Sequence, residues 1–405
     1  MKLYDIIIIG GGAAGFFTAI NAAEINPKLS ILILERGKTV LQKVRVSGGG
    51  RCNVTHAEFI PNELVKNYPR GEKELKGPFH TFMCGDTMEW FEKRGVDLKI
   101  EDDGRIFPVS NNSETIINCF LEQVKKLNIE VKTQELAQQF SHKNNQWEIT
   151  SKNNTFLAKK IVFATGSNAK IWNHLKKQGV SINEPVPSLF TFNNSSNLTK
   201  DLPGIAHNVT LKIKDTNLTS EGPLLITHWG FSGPAILKLS AWGARTLHKL
   251  YYEFDLIVNW IPYEDFESCR NLLIEQKNTS PKKQISKTIL FNLPKRLWVN
   301  LLQSSSVNND LKWADISKKQ LTQLSNQLTS CTFKINGKST FKEEFVTAGG
   351  VDLKEIDFKT YKNKKLPNCY FVGEVLNIDA VTGGFNFQNA WTGGFIAAQS
   401  LAASK

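Results

Sequence analysis

The N-terminal segment constrains this chain most: Gly10-x-Gly12-x-x-Gly15 stands between an apolar run and a helix-forming run. Leu3 to Ile9 is dense in isoleucine, the composition of a strand buried on both faces. Ala13 to Ala23 is rich in helix formers, and Leu29 to Leu34 returns to strand character before Glu35. The pattern predicts a βαβ unit with a right-handed crossover. In such a unit Gly10 makes the tight turn, Gly12 lets a pyrophosphate approach the backbone, and Gly15 lets the helix pack close to the sheet. The helix start then offers N–H groups and a partial positive charge to phosphate. Glu35 lies about 20 positions further on, where a carboxylate accepts from both ribose hydroxyls and repels a 2′-phosphate. FAD or NAD therefore fits better than NADP.

Two further glycine-rich segments bear on which dinucleotide it is. Ser47-Gly48-Gly49-Gly50-Arg51-Cys52-Asn53 is too glycine-dense for a regular element, and it offers consecutive backbone N–H groups with a guanidinium as an anion clamp. Near the far end of the chain, Tyr370 to Val372 reads as a strand running into Gly373-Glu374. Asp379 and Thr382-Gly383-Gly384-Phe385-Asn386-Phe387-Gln388 follow. Adjacent glycines opening a helix there would bring a second N-terminal dipole to the same site. Aimed at the N1/C2=O edge of a flavin, that dipole stabilises the anionic reduced ring, which favours non-covalent FAD.

Length and composition set the frame. At 405 residues the chain has room for a nucleotide-binding domain and an insertion, and 41% hydrophobic with 22% charged residues is ordinary for a globular protein. The Ile6–Ile9 run is too short to span a bilayer, and no charged leader precedes it, so the expectation is a cytoplasmic chain without membrane partners. The six cysteines never form C-x-x-C, which argues against a disulfide scaffold, a zinc ribbon or any metal site. A net charge of +12 favours anionic partners such as nucleotide, RNA or acidic small molecules, although a solvated lysine-rich surface explains it equally.

Along the chain, Asp86 with Glu89 predicts a capping box for a short helix ending at Gly95. Ile116, Ile117, Phe120, Leu121, Val124 and Leu127 recur at helical spacing. Ile129 to Thr133, Gln146 to Thr150 and Ile161 to Ala164 read as strands, the last running into Thr165-Gly166. From about Pro185 to Lys342 the pattern changes. Alternating strands, Val209 to Ile213 and Tyr252 to Val258, give way to a polar helical stretch from about Tyr263 to Leu328. The fold class expected is α/β, a Rossmann-type domain with an insertion. Its divisions are a dinucleotide domain over 1–188 and 345–405, a β-barrel-like domain over 189–262 and 329–344, and a helical cap over 263–328.

The stretches IIIIGGGAAGF, KVRVSGGGRCNVT, GVDLKIEDDGRIFPVS, THWGFSGPAIL, TAGGVDLKEID and YFVGEVLNIDAVTGGFNFQNAWTGG together resemble the BaiN-like family of FAD-binding oxidoreductases, also known as YhiN-like or aminoacetone-oxidase-like flavoproteins. They span almost the whole chain. The resemblance implies an FAD domain of the glutathione-reductase type with an inserted barrel-plus-helical domain. It implies FAD contacts at Gly10, Gly12, Ala14, Gly15, Glu35 and Lys43, then at Gly49, Gly50, Arg51 and Asn53. From the C-terminal segment it adds Gly373, Glu374, Asp379, Gly384, Phe385, Asn386 and Phe387, with Val131 meeting the adenine. Arg36, Ser47, Gly48, Cys52, Thr165, Gly166 and Gly383 complete the candidate set. Three positions depart from the family pattern. The A-T-G turn runs into Ser167-Asn168-Ala169-Lys170-Ile171-Trp172 without a further glycine-rich stretch, His56 replaces an asparagine, and Asn377 replaces an aspartate.

The sequence offers fewer candidates for the chemistry itself. Cys52 has no cysteine partner before Cys84, so a structural role outweighs a redox one. His228, in Thr227-His228-Trp229-Gly230, is a candidate proton donor if the insertion folds over the flavin, although a histidine that fixes a turn is the simpler reading. Arg51 and Arg105 could orient an anionic substrate or pair with local carboxylates, and Trp172, Trp229 and Trp391 read mainly as core. With a single G-x-G-x-x-G, NAD(P)H would have to dock transiently at the flavin, or the electrons would come from the substrate. The leading expectation is reduction of an activated, enone-like C=C bond of a small molecule. The alternatives are an amine oxidase releasing peroxide, and a flavoprotein acting on ribosomal RNA, because uracil carries an enone-like C5=C6 bond and the positive charge suits phosphate.

Overall fold

The four isoleucines Ile6 to Ile9 are buried at the centre of a sheet. The structure, a computed structural model, describes residues 2–339 and 346–403. It divides into two compact units, Met1–Val186 with Val346–Lys405, and Pro187–Phe345. The expected junction at 344 and 345 lies outside the described residues.

In the first unit, Leu3–Ile9 pairs in parallel with Ile31–Leu34 on one side and Thr155–Phe163 on the other. Glu130–Lys132 and Cys369–Phe371 extend the parallel core outward, and antiparallel strands complete a nine-stranded sheet. Register sets the site. Ile9 lies opposite Leu34 and Phe163, and Phe163 lies opposite Phe371, so these strands end level with one another. Gly10, Glu35, Ala164 and Val372 therefore emerge along one edge, the carboxyl edge where open α/β sheets bind ligands. The Thr155–Phe163 strand is longer than its sequence announces, because Lys159 and Lys160 interrupt its apolar run and the residues before them, Thr155 to Ala158, pair with the hairpin strand Gln146–Thr150.

The first helix, Ala13–Ile25, packs against the C-terminal helix, Phe385–Ala403, closely enough that a Cβ at Gly394 would come within 3.1 Å of Thr18 Oγ1. Phe17 and Trp391 meet across this seam at 5.2 Å, and Trp90 and Phe120 close around them. Each such ring removes about 150–250 Å² from water, so this aromatic cluster is a main source of stability for the helix pair. The helix over Ser113–Lys126 shows the predicted amphipathic spacing and is capped by Asn112.

The expected capping box needs correction. The helix spans Cys84–Glu92 with Met83 at its N-cap, and Asp86 is the third helical residue, its Oδ2 accepting from Met83 N at 2.7 Å. An aspartate can supply the returning carboxylate of such a box as well as the cap, and here it does the former. Glu89 instead pairs with Lys93 on the surface.

In the second unit an antiparallel seven-stranded sheet carries Ala206–Ile213, Thr219–Thr227 and Glu253–Asn259 at its centre. The helix Pro234–Lys249 lays Ile236, Leu239 and Leu247 into the unit's core. The polar stretch folds into helices over Phe266–Thr279, Lys295–Ser304 and Lys318–Thr329, packed around Trp298 and Trp313. Among the described residues no helix is long and apolar enough to cross a membrane.

Candidate functional site

The three fingerprint glycines face different surroundings. A side chain at Gly10 would strike the Ala164 carbonyl, and one at Gly15 would strike the carbonyl of Gly10. A Cβ at Gly12 would meet nothing within 4 Å. Two of these glycines are therefore required by the protein's own packing, whereas Gly12 opens onto space that a ligand can fill. Gly12 is also the N-cap of the first helix and supplies no side-chain cap, so the initial N–H groups, Ala14 among them, are left for another acceptor.

Glu35 already has backbone partners. Its Oε2 accepts from Gly11 N at 2.8 Å and its Oε1 from Gly37 N at 2.7 Å, which ties the glycine turn to the end of the second strand. A carboxylate offers about four acceptor sites, so both oxygens retain capacity for ribose hydroxyls. Val131 pairs with Ile33, and the carbonyl of its neighbour Lys132 accepts from Glu35 N, which places Val131 on the strand alongside the end of Ile31–Leu34. Arg36 points into solvent.

The second glycine segment closes a short helix, Gln42–Gly50, that breaks at Ser47. Gly48, Gly49 and Gly50 have φ of 57°, 68° and 85°, a left-handed run that side chains resist. Side chains at Gly49 or Gly50 would again meet nothing within 4 Å. Ser47 Oγ bonds back to Val44 O, and Ser47 O accepts from Cys52 N. Arg51 does not reach outward as a clamp: it donates to Glu101 Oε1 at 2.6 Å and stacks on Phe107, 3.9 Å from the ring centre. Arg105 pairs with Asp103. Cys52 is wholly buried, and burial pushes its thiol up to about 12, the opposite of a reactive thiolate. All six cysteines are free and buried.

The C-terminal segment comes back onto these loops. A Cβ at Gly373 would lie 3.0 Å from Ala14, and Glu374 Oε2 accepts from Lys43 Nζ at 2.5 Å while lying next to Gly166 and, through it, Thr165. Asn53 donates to the carbonyls of Ile106 and Thr55 and accepts from Gly384 N at 3.0 Å. Thr55 Oγ1 donates to Gln388 Oε1 at 2.6 Å, and Tyr68 Oη donates to the carbonyl of Phe385. Asn386 ties its amide to Ala380 N, and Phe387 stacks on Trp391 at 5.5 Å. His56 Nδ1 lies 3.1 Å from the carbonyl of Gly383, which can only accept, so this nitrogen carries the proton. The His56 ring also packs 4.6 Å from that of Phe385. Asp379 is 0% exposed and forms a buried ion pair with Arg70.

Arg70, Tyr68, Thr55 and Gln388 were not among the sequence candidates. The Arg70–Asp379 partners lie 309 residues apart, and no local pattern announces such a pair. Thr55 and Gln388 had a signal, as the last letters of the KVRVSGGGRCNVT and TGGFNFQ stretches. Trp172 and Trp391 are core, their indole N–H groups bonded to the carbonyls of Val375 and Val54. His228 and Trp229 occupy the exposed turn between Thr219–Thr227 and Gly230–Ser232 in the second unit.

The carboxyl edge of this sheet combines a ribose-reading carboxylate, an uncapped helix start and two open glycine cradles, one over Gly12 and one over Gly49–Gly50. That combination is what a dinucleotide requires, and the fold and site define an FAD-dependent oxidoreductase of the Rossmann type. The family described as "HI0933-like protein Rossmann domain" matches residues 4–400. The chain belongs to that family, the BaiN- and YhiN-like group its motifs resemble. It is 28% identical to the ribosomal RNA dihydrouridine synthase of Escherichia coli K12, over all of both chains. It is 22% identical to the 3-dehydro-bile acid delta(4,6)-reductase of Clostridium scindens, over 98% of each. Among solved structures it resembles the open conformation of a flavocytochrome c3 fumarate reductase, with a TM-score of 0.52, 13% identity, and coverage of 99% of this chain and 78% of that one.

Proposed function

We propose that this protein uses FAD and a reduced nicotinamide to saturate a ring C=C bond conjugated to a carbonyl, and that its substrate is uracil in ribosomal RNA. One observation carries the reading. Two relatives aligned over almost their full lengths bear names that describe the same chemistry on unrelated molecules, a uridine in one and a steroid acid in the other. The shared step adds two hydrogens across a double bond polarised by a ring carbonyl. Ribosomal RNA is preferred because that relative shows the higher identity and because a net charge of +12 suits a polyanion.

Bound FAD would supply a hydride route from the nicotinamide to one carbon of the double bond, while a proton adds to the other. The protein's part is to hold and orient. Gly12 and the first helix start would receive the pyrophosphate, Glu35 the ribose, and Gly49–Gly50 the middle of the cofactor. Phe385 to Phe387, at the start of the C-terminal helix, would face the pyrimidine edge of the flavin, with Gly384 N already engaged by Asn53. The buried cysteines favour direct hydride chemistry over a thiol relay.

The test is anaerobic mixing of purified protein with NADH or NADPH, followed by unmodified ribosomal RNA transcript. One nicotinamide should bleach the flavin band, the transcript should restore it, and mass spectrometry should find a uridine heavier by two hydrogens. A flavin that neither nicotinamide bleaches, with peroxide released on adding amines, would refute the reading in favour of an oxidase.

A further inference from the structure

The helix Pro234–Lys249 of the second unit has one face in the core and the other in water. On the watery side Lys238, Trp242 and Lys249 are exposed, and the half-buried Arg245 completes a spacing of four, three and four residues. At about 100° per residue they form a single narrow stripe about 16 Å long. The helix contains no aspartate or glutamate, so nothing within it neutralises the stripe. An indole 38% exposed sits in the middle of it, where a surface helix normally carries a polar residue.

A second observation lies at the end of this helix. Tyr251 and Tyr252 both adopt left-handed backbone, with φ of 52° and 62°, where glycine or asparagine is usual. Tyr252 turns inward to Phe190, at 5.4 Å, whereas Tyr251 is left 84% exposed. A bulky residue held in a strained conformation with its ring in water contributes little to stability, and strain of this kind collects at functional positions.

From these features we infer that the stripe and Tyr251 form a docking face for RNA: Lys238 and Lys249 meet phosphates, and Trp242 and Tyr251 stack on unpaired bases. Exposed cations with interleaved aromatic rings are the recurring chemistry of single-stranded nucleic-acid recognition. The face rests on the ribosomal RNA reading above and deepens it, because it assigns recognition of the polymer to residues remote in sequence from the cofactor motifs.

The experiment measures binding of FAD-loaded protein to a fluorescein-labelled, unmodified ribosomal RNA hairpin with unpaired loop uridines, across a salt series. Lys238→Ala combined with Lys249→Ala should flatten the dependence of log Kd on log salt by about 1.4, the loss of two single-strand phosphate contacts. Trp242→Ala and Tyr251→Ala should each weaken binding about ten-fold with the slope unchanged. All variants should keep the flavin spectrum and its bleaching by nicotinamide. Wild-type affinity and slope in every variant would overturn the face and leave uridine reduction standing. RNA bound through this face without any uridine reduced would sink the substrate and leave the face. Failure of the wild-type protein to bind the hairpin would overturn both. Loss of binding to phosphatidylglycerol vesicles with RNA binding intact would also overturn the face, in favour of a lipid surface.

Discussion

The two glycines that flank the start of the first helix should respond in opposite ways to the same added methyl group. Gly12 has φ of −96° and ψ of −170°, an extended conformation open to any residue, and its Cβ would point into empty space. Gly12→Ala should therefore leave the stability of the FAD-free protein within about 0.5 kcal/mol, because loss of unfolded-state freedom offsets a weaker cap. The methyl group would occupy the volume claimed here for the pyrophosphate. Displacing a charge-assisted backbone contact costs about 2 kcal/mol, or about thirty-fold in Kd for FAD. Gly15→Ala is the mirror case, since its Cβ would collide with the carbonyl of Gly10 whether or not a cofactor is present. Overpacking against a backbone atom should cost about 1–3 kcal/mol in the FAD-free protein. The assay pairs urea unfolding of deflavinated protein with FAD titration followed by flavin fluorescence. If Gly12→Ala binds FAD like the wild type, the pyrophosphate does not lie over Gly12, and the assignment of this cradle is wrong.

Other outcomes follow from buried groups. Arg70→Leu should cost about 3–5 kcal/mol in urea unfolding, because it strands the Asp379 carboxylate with no solvent exposure. Cys52 should resist iodoacetamide in the native protein at neutral pH, since burial keeps it a thiol, and Cys52→Ser should still be bleached by nicotinamide; labelling mass spectrometry and stopped-flow check the pair. Tyr4 Oη donates to Glu130 at 2.6 Å and, with Lys2 and Lys132, holds that carboxyl below its usual 4.5 against the opposing effect of burial. The resulting stability is complete above that value and lost as pH falls through the lowered pKa, so Tyr4→Phe should shallow the acid limb of urea midpoints plotted against pH.

The parts of this fold that were legible in the sequence are those specified locally. Ile6 to Ile9, β-branched and followed at once by a glycine turn, reads as a buried strand, and the spacing of Ile116, Phe120 and Val124 reads as a helix face, because neighbours a few residues away decide both. Gly10 and Gly15 were legible because a tight turn and close helix–strand packing require them. The capping box over Asp86 was misread because one side chain can fill either half of that motif. Arg51 stayed open between an anionic ligand and a local carboxylate: which of the two a guanidinium faces depends on where Glu101 arrives, and strand pairing decides that. The Arg70–Asp379 pair was invisible for the same reason, with the whole insertion lying between its partners.

That long reach has a consequence for how the site is assembled. Asn53 accepts the N–H of Gly384 and donates to the carbonyls of Ile106 and Thr55, so one nearly buried amide joins the second glycine segment, a small sheet and the start of the C-terminal helix. Asn53→Ala would take this partner from Gly384 N and from the Thr55 carbonyl, while the Ile106 carbonyl keeps Val54 N at 2.8 Å. At about 1–3 kcal/mol for a buried unpaired group, the FAD-free protein should lose stability on that scale. The neighbouring ties from Tyr68 to Phe385 and from Thr55 to Gln388 remain, so the helix should stay docked rather than detach. If the helix start and the glycine segment hold one cofactor between them, loosening their joint should weaken FAD and shift its absorbance even though no methyl enters the site. Asn53→Ala that loses stability while keeping FAD affinity and spectrum unchanged would mean that the two segments serve the fold separately, and the shared-cofactor geometry would have to be abandoned.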